Sequence, residues 1–540
     1  MNFIVNETAT KLRGGYYTPI ELAAFIVKWA IRTTKDRVLE PSCGDGIFIS
    51  AIGKNTKKNE IMFTGIEFDP IEAEKAALNL SSYKIKGNIE SCDFLDWYLK
   101  KSNSTEQFDA VVGNPPFIRY QYLPDSMQSL SAKIFEHLEL KFTKHTNAWI
   151  PFVLAGIDSL RPGGRLGMIV PTEIFNVIYA QSLRTYLGEN CSEITIIDPE
   201  DIWFEKTLQG AVILLAQKKI DKSEMTKGLG IVRTYGMDFC KKNPDMLINN
   251  INRMNGYTIQ GKWTCAFLNE KEFEVYDKVK KLIKVKQFKK IASVDVGIVT
   301  GANDFFLVDH DTVIKYGLEK YAFPMFGRSD HCPGVIYSNA VHQSNIQNGF
   351  PSYFIWIKSD EKITRKKQLE YIRKGEIESL HKRYKCRIRT PWYSVPSVYS
   401  CEIGMLKRSH DLPRLIYNEI GAYTTDTAYR VRALSIDPKI FVYSFINSLT
   451  ALSAEIEGRS YGGGVLELVP SEIDKLLIPI VNLKNADLEK LDIFVRSKDP
   501  VNYLPEQDKI ILGNIGISDE DQQILFTAWL KLRNRRHRSS

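Results

Sequence analysis

Asn114-Pro-Pro-Phe117 is the segment of this 540-residue chain whose residue types make the most specific chemical statement. It follows the apolar run Phe108-Asp-Ala-Val-Val-Gly113, which reads as a buried strand, and parallel sheets present ligands at the carboxyl ends of their strands. Two consecutive prolines remove two N–H donors and stiffen the backbone, leaving carbonyls that only accept. The Asn114 side-chain oxygen and the Pro115 carbonyl can accept both hydrogens of one exocyclic amino group, while Phe117 stacks on the ring that carries it. Such an amino lone pair is delocalised and is a poor nucleophile. Two fixed acceptors favour a pyramidal nitrogen and aim its lone pair at an electrophile, which is electrostatic preorganisation. Base–aromatic stacking contributes about 1–3 kcal/mol. The plainer reading is a rigid strand-end turn with a core Phe, and the choice depends on what accompanies the tetrapeptide.

Upstream lies Pro41-Ser-Cys-Gly-Asp-Gly46, between a short strand and a helix start at Ile47. Gly44 and Gly46 let backbone approach a ligand where no side chain fits. A dinucleotide loop continues to a third glycine, but position 49 is Ile49, so the pyrophosphate fingerprint is incomplete. Glu67 ends the next strand, 21 residues after Gly46, where a carboxylate accepts ribose hydroxyls. Glu40, just ahead of the loop, offers negative charge to a cation, and Asp93 ends a further strand, placed to accept from an adenine amino group beside Phe94. These residues describe a pocket for a nucleoside with a positively charged tail and no phosphates, and S-adenosylmethionine fits. Asp45 reads more simply as the N-cap of the following helix. Cys43 reads as a small packing residue, because direct attack by an amine needs no covalent nucleophile.

The elements that position these groups are short apolar runs alternating with helical patterns, the mark of βαβ units around a parallel sheet. Strands are expected at 37–40, 61–67 and 108–113, a helix from about 70 to 80, and an amphipathic helix near 147–161. Pro162-Gly-Gly164 reads as a turn before a strand at 165–170, and 193–218 as the closing strands. From about 220 to 265 the pattern weakens into polar sequence, taken as the domain junction, with mixed α and β sequence beyond it. The expected domains are 1–245, catalytic and cofactor-binding, and 246–540.

Eight scattered cysteines without a Cys-x-x-Cys pair argue against a zinc site or a disulfide framework and suit a reducing cytoplasm; no metal is expected. No apolar run is long enough to span a membrane, and the N-terminus lacks the features of a secretory signal. The net charge of +8 is uneven: residues 1–220 carry 24 Lys/Arg against 26 Asp/Glu, so the remainder is strongly basic. Basic clusters stand at 278–290, 365–367, 381–387 and 533–538, the footprint of a polyanion binder.

Gly15-Tyr-Tyr-Thr-Pro19, Leu39-Glu-Pro-Ser-Cys-Gly-Asp-Gly46, Gly65-Ile-Glu-Phe-Asp-Pro70, Cys92-Asp-Phe-Leu95 and Asn114-Pro-Pro-Phe117 occur in that order. The set resembles the gamma class, or TaqI-type group, of DNA adenine-N6 methyltransferases of bacterial restriction–modification systems. The resemblance covers about the first 220 residues densely. It implies an α/β fold: a Rossmann-like class I S-adenosylmethionine-dependent methyltransferase domain followed by a mixed α+β target-recognition domain. It further implies that Thr18 binds the methionine carboxylate, that Glu40 lies near the methionine end, Glu67 on the ribose and Asp93 with Phe94 at the adenine. Asn114 and Pro115 would hold the target amino group and Phe117 would stack on the base, with Phe204 as a second aromatic wall for which Trp203 competes. Base extrusion follows, because the reacting nitrogen is inaccessible inside a duplex.

The segments Val296-Gly-Ile-Val-Thr-Gly301, Arg389-Thr-Pro-Trp-Tyr393 and Gly458-Arg-Ser-Tyr-Gly-Gly-Gly464 are more loosely similar to the family's recognition domain. Arg389 and Arg459 are the candidates there for guanine edges or phosphates, while Trp392 and Tyr393 read as core aromatics. The expected partner is double-stranded DNA, with a monomer acting on it. Because the Tyr-Thr-Pro segment begins about fifteen residues from Met1, the cognate endonuclease is expected to be a separate protein. The expected location is the cytoplasm of a prokaryote, at the nucleoid. Competing readings are N4-cytosine methylation, an RNA or protein-glutamine amino methyltransferase, and a catalytically silent DNA-binding subunit.

Overall fold

Val38, Leu39 and Glu40 are buried in succession, as are Ala110 to Gly113, because strands covered by helices on both faces carry apolar runs rather than alternation. The computed structural model describes residues 18–55, 60–102, 106–200, 210–249, 251–254, 261–461, 464–481, 487–497 and 499–537. It divides into two compact units, Met1–Phe267 and Leu268–His537.

In the first unit β1 (Arg37–Glu40), β2 (Met62–Glu67), β3 (Lys86–Ser91), β4 (Phe108–Gly113) and β5 (Leu160–Pro171) run parallel. β6 (Cys191–Pro199), β7 (Ala211–Lys218), β8 (Leu229–Thr234) and β9 (Arg253–Met254) complete a nine-stranded sheet of order β3-β2-β1-β4-β5-β7-β6-β8-β9. The strand order reverses between β1 and β4, and at such a switch point the crevice beyond the strand ends receives ligands. Helix α1 (Ile20–Ala30) brings Phe25, Ile26 and Trp29 against Phe48 and Ile52 of α2 (Ile47–Asn55) and against Val38, Val112 and Ile213 of the sheet. Helix α3 (Pro70–Ser82) begins on the cap Asp69 with Pro70 in its first turn, and α4 (Phe94–Lys101) begins on the cap Asp93.

Four expectations change. The helix after β1 starts at Ile47, and the Ser50 N–H reaches the Gly46 carbonyl at 3.0 Å, so the cap position is Gly46 rather than Asp45. The helix expected near 147–161 is α6 (Trp149–Asp158). It is buried from Trp149 through Ile157 rather than on one face, because β5 and helices α4, α5 (Asp125–His137) and α7 (Gln181–Asn190) enclose it. Pro162-Gly163-Gly164 is a bulge inside β5, not a turn before it: β4 pairs Phe108 with Leu160 and then Ala110 with Arg165, and Gly163 adopts φ +75°. The region 220–265 contributes β8 and β9 to the first sheet, and the units part between Phe267 and Leu268 rather than at 245. A two-residue strand has no periodicity to read; Arg253 holds it by donating to the Ile194 carbonyl at 2.9 Å and to Glu193 at 2.5 Å.

The second unit mixes α and β. A five-stranded sheet orders Ala292–Val296, Ala428–Ala433, Ile403–Leu406, Leu415–Asn418 and Ile336–Tyr337, beside smaller sheets of four, three and two strands. Helices Ser448–Glu457, Pro500–Asn514 and Asp519–His537 pack together near its C-terminal end. Among the described residues no helix is long and apolar enough to cross a membrane.

Candidate functional site

The crevice is assembled from four strand ends. The register pairs Glu40 with Gly65 and Glu67 with Ser91, which sets the ends of β1, β2 and β3 side by side. The Glu67 carboxylate accepts from the Gly44 N–H at 2.8 Å and from the Asp69 N–H at 2.9 Å, tying the glycine loop to the end of β2. Gly44 adopts φ +51°, and a Cβ there would meet nothing within 4 Å, so its backbone faces open space. Gly46, at φ +91°, is instead crowded by Asn79, Ala76 and Ile49. One glycine is open toward a ligand and the other is required by packing.

Glu40 is the strongest sign of what fills the space. Its side chain is 1% exposed, and its Oε2 has no hydrogen-bond partner among the described residues. Burial, with Glu67 and Asp45 nearby, pushes its carboxyl well above the usual carboxylate range. A buried acceptor without a donor is costly, and a cation carrying N–H groups relieves that cost. The donor set here suits a ligand with an ammonium and a ribose: carboxylates at Glu40 and Glu67 and an open backbone at Gly44. Cys43 is buried, and burial pushes its thiol up, so it is held as a protonated packing group.

Asn114 extends from the end of β4 into the same crevice. Its Nδ2 donates to Thr18 Oγ1 at 3.2 Å, and Ser42 Oγ donates to its backbone carbonyl at 3.2 Å. The bond to Thr18 engages the amide nitrogen as a donor, which assigns Oδ1 the acceptor role. Gly113 lies against Glu40, whose Cγ is 3.8 Å from where a Gly113 Cβ would stand. Thr18, Glu40, Gly44, Gly46, Glu67, Asn114 and Pro115 therefore converge. Phe117 is half-buried and packs against the core cluster that includes α1. Asp93 reaches the site beside β2, where the Cys92 N–H meets the Glu67 carbonyl at 3.0 Å, but its Oδ1 caps α4 at the Leu95 N–H, 2.8 Å away.

Other assignments do not meet there. Phe94 is 2% exposed, with its ring 5.2 Å from that of Phe152 and 6.0 Å from that of Trp97, so it presents no face to a ligand. Phe68, immediately after Glu67, is 76% exposed at the rim and is the aromatic that sequence reasoning passed over. The signal was its position directly behind the Glu67 carboxylate at a strand end. Phe204 and Trp203 lie outside the described residues.

A buttress was also missed. Asn147 accepts from the Tyr120 N–H at 3.0 Å and donates to Glu173 at 3.0 Å and to the Tyr179 hydroxyl at 2.6 Å, while Tyr179 donates to the same Glu173 carboxylate. The Ala148 N–H holds the Ile118 carbonyl at 3.0 Å. The residues that follow Phe117 are thus pinned to the end of β5. Burial pushes Glu173 up, opposed by the Tyr179 hydroxyl, the Arg119 charge and Asn147. Nothing in the spacing of these residues announces that they meet.

In the second unit, Arg389 donates to the Thr300 carbonyl at 2.7 Å and the Val299 carbonyl at 2.8 Å, and Arg459 pairs with the buried Glu472 at 2.9 Å. Both guanidiniums are engaged within the protein rather than presented to a base edge. The one grouping of metal-ligand types among the described residues is His410, Asp411 and His537, where Arg533 already holds Asp411 at 2.5 Å.

The family model for N-6 DNA Methylase matches residues 3–294, and that for the C-terminal domain of Type II methyltransferase M.Eco57I matches residues 260–512. Type II methyltransferase M.AccI of Acinetobacter calcoaceticus is 25% identical over 517 residues, covering 92% of this chain and 90% of that one. Type II methyltransferase M.BanIII of Aneurinibacillus aneurinilyticus is 28% identical over 270 residues, 45% of this chain and 44% of the relative. The cryo-EM structure of a DrdV–DNA complex superimposes with a TM-score of 0.50 at 12% identity, over 90% of this chain and 57% of that one.

Proposed function

Because the chain belongs to the N-6 DNA methylase family, we propose that it methylates the N6 amino group of an adenine swung out of double-stranded DNA, protecting a site from a cognate restriction endonuclease. It is a DNA methyltransferase of a restriction–modification system, with S-adenosylmethionine as methyl donor. In this reading the enzyme acts as a monomer on one strand at a time.

The observation that carries the reading is the buried Glu40 carboxyl, whose Oε2 has no hydrogen-bond partner among the described residues, beside the open Gly44 backbone and one strand away from Asn114. When bound, S-adenosylmethionine supplies an electrophilic methyl group on a sulfonium that leaves as a neutral thioether. Glu40 faces its cationic end, Glu67 accepts from the ribose, Thr18 donates to the methionine carboxylate, and Asp93 and Phe68 flank the adenine. At the target base, Asn114 Oδ1 and the Pro115 carbonyl accept the two amino hydrogens and hold the N6 lone pair toward the methyl carbon. The N–C bond forms as the S–C bond breaks, and the extra N6 proton passes to solvent. Phe117 supports the ring, and Phe204 or Trp203 covers its other face.

The test is methyl transfer from labelled S-adenosylmethionine to unmethylated plasmid DNA, followed by nucleoside analysis. Label in N6-methyladenosine is expected. Label in N4-methylcytosine would keep the mechanism and overturn the base, since both are exocyclic amines. Label only in RNA or protein would overturn the substrate.

A further inference from the structure

The basic clusters of the second unit are sorted by the structure into those spent on folding and those left to solvent. At the C-terminal end, Arg533 pairs with Asp411 and Asp499, and Arg536 is buried against Glu455. In the 278–290 cluster, Lys278 pairs with Asp521 and Lys281 with Asp277, while the remaining lysines are strung along a helix end, a turn and a strand. Arg365, Lys366 and Lys367 are exposed as well; the turn 382–388 differs in gathering four cations within six residues. Lys382, Arg383, Lys385 and Arg387 are all exposed, no acid lies between them, and none makes an ion pair among the described residues. The preceding acids are occupied: Glu376 accepts from Trp392 Nε1 at 3.4 Å, and Glu378 faces Lys374 at 3.8 Å.

The turn is also rigid. Leu380 and Cys386 are buried in the core cluster beneath it. Arg389 straps it to the loop 296–301 through the Thr300 and Val299 carbonyls. Gly301, at φ +81°, brings that loop so close that a Cβ would stand 2.6 Å from Lys385 Cβ. Tyr384 is 63% exposed, with Lys385 Nζ and Arg387 Cζ each 5.6 Å from its ring centroid, and Ile388, Val296 and Val299 are exposed beside it. Unpaired cations with an exposed aromatic and aliphatic groups, all fixed by buried anchors, match a duplex. Its phosphates take the cations, and its sugars and base methyls take the apolar groups.

We propose that the turn 382–388, braced by Arg389 against the loop 296–301, is a surface on which the second unit grips the phosphate backbone of duplex DNA. The inference rests on the reading of the chain as a DNA methyltransferase. It makes Arg389 a positioning residue and assigns phosphate contact to Lys382, Arg383, Lys385 and Arg387.

The experiment is equilibrium binding of a labelled duplex oligonucleotide of arbitrary sequence to the full chain across a salt series. Each lost phosphate contact lowers the slope of log affinity against log salt by about 0.9. The variant Lys382→Gln/Arg383→Gln/Lys385→Gln/Arg387→Gln is expected to lose slope by that amount per contact. A charge-matched variant, Lys284→Gln/Lys286→Gln/Lys289→Gln/Lys290→Gln, is expected to lose less. Equal or greater loss in the charge-matched variant, or an unchanged slope in the first, overturns the surface. If the quadruple change prevents folding, Lys382→Gln and Arg387→Gln singly carry the same test. Methyl transfer to plasmid DNA by the wild type, measured on the same preparation, separates the two claims. A wild type that methylates DNA while the turn variant keeps its slope defeats the surface alone, and one that neither binds nor methylates DNA defeats both.

Discussion

In the proposed reading, Glu40 stores a cost that cofactor binding removes. In the free protein its carboxyl is raised by burial and by Glu67 and Asp45. Its contribution to stability is therefore fully present below the ordinary carboxylate range and is lost as pH rises through the raised value. A bound cation favours the ionised form, so cofactor affinity rises with pH across that window and binding releases a proton. Calorimetric titration in two buffers of different ionisation heat should show this release, and Glu40→Gln should abolish it; a buffer-independent heat in the wild type would refute the role. For Asn114, loss of an acceptor used only at the target base predicts that Asn114→Ala lowers turnover by about 10²–10³-fold, as when one preorganised partner is removed. Cofactor affinity, read by equilibrium dialysis, should stay unchanged. Residue types and spacing alone pointed to Asn114, Glu67 and Gly44, because their chemistry follows from short local context. Phe94 failed for the opposite reason: whether an aromatic faces a ligand or a core is decided by its neighbours, here Trp97 and Phe152.

At the scale of elements, the loop after β4 is positioned from outside itself. Asn147 and Glu173 stand ahead of α6 and after β5, and their bonds to Tyr120 and Tyr179 fix the backbone that follows Phe117. Asn147→Ala leaves the buried carboxyl and the Tyr120 N–H short of partners, a cost of about 1–3 kcal/mol. The expected result is a lower kcat with little change in cofactor affinity, measured by steady-state methyl transfer beside cofactor titration. A full kcat would remove the buttress from the mechanism. Strands β1, β2 and β4 were legible as apolar runs between turn residues, with ends within a residue of those observed. The bulge at 162–164 and the two-residue β9 were not, since both depend on pairing partners distant in sequence.

At the scale of the molecule, the charge asymmetry splits between two uses. Arg536 is buried with Glu455 and also donates to the His410 carbonyl at 2.5 Å and the Asp411 carbonyl at 2.9 Å. Removing one partner of such a pair costs about 3–5 kcal/mol, so Arg536→Ala should destabilise the second unit by that amount in denaturant unfolding followed by Trp529 fluorescence. Replacing Arg536 and Glu455 together by Met should recover part of the loss. An Arg536→Ala midpoint equal to wild type would place the basic C-terminal cluster back among surface charges.

The sequence by itself determined the parallel-sheet class, the glycine loop 44–46 with Glu67 at the next strand end, and the place of Asn114 and Pro115 directly after the strand that carries them. Each of these is written within a few residues by backbone chemistry that only glycine, proline or a short polar side chain satisfies. Tertiary structure decided which groups were free to act. It buried Glu40 with its Oε2 lacking a partner among the described residues, turned Phe94 inward and exposed Phe68, and carried the first unit through to Phe267. It also occupied Arg389, Arg459 and Arg536 while leaving the cations of 382–387 without an ion pair among the described residues. Burial and pairing are properties of contacts between residues far apart in the chain, and no local pattern encodes them.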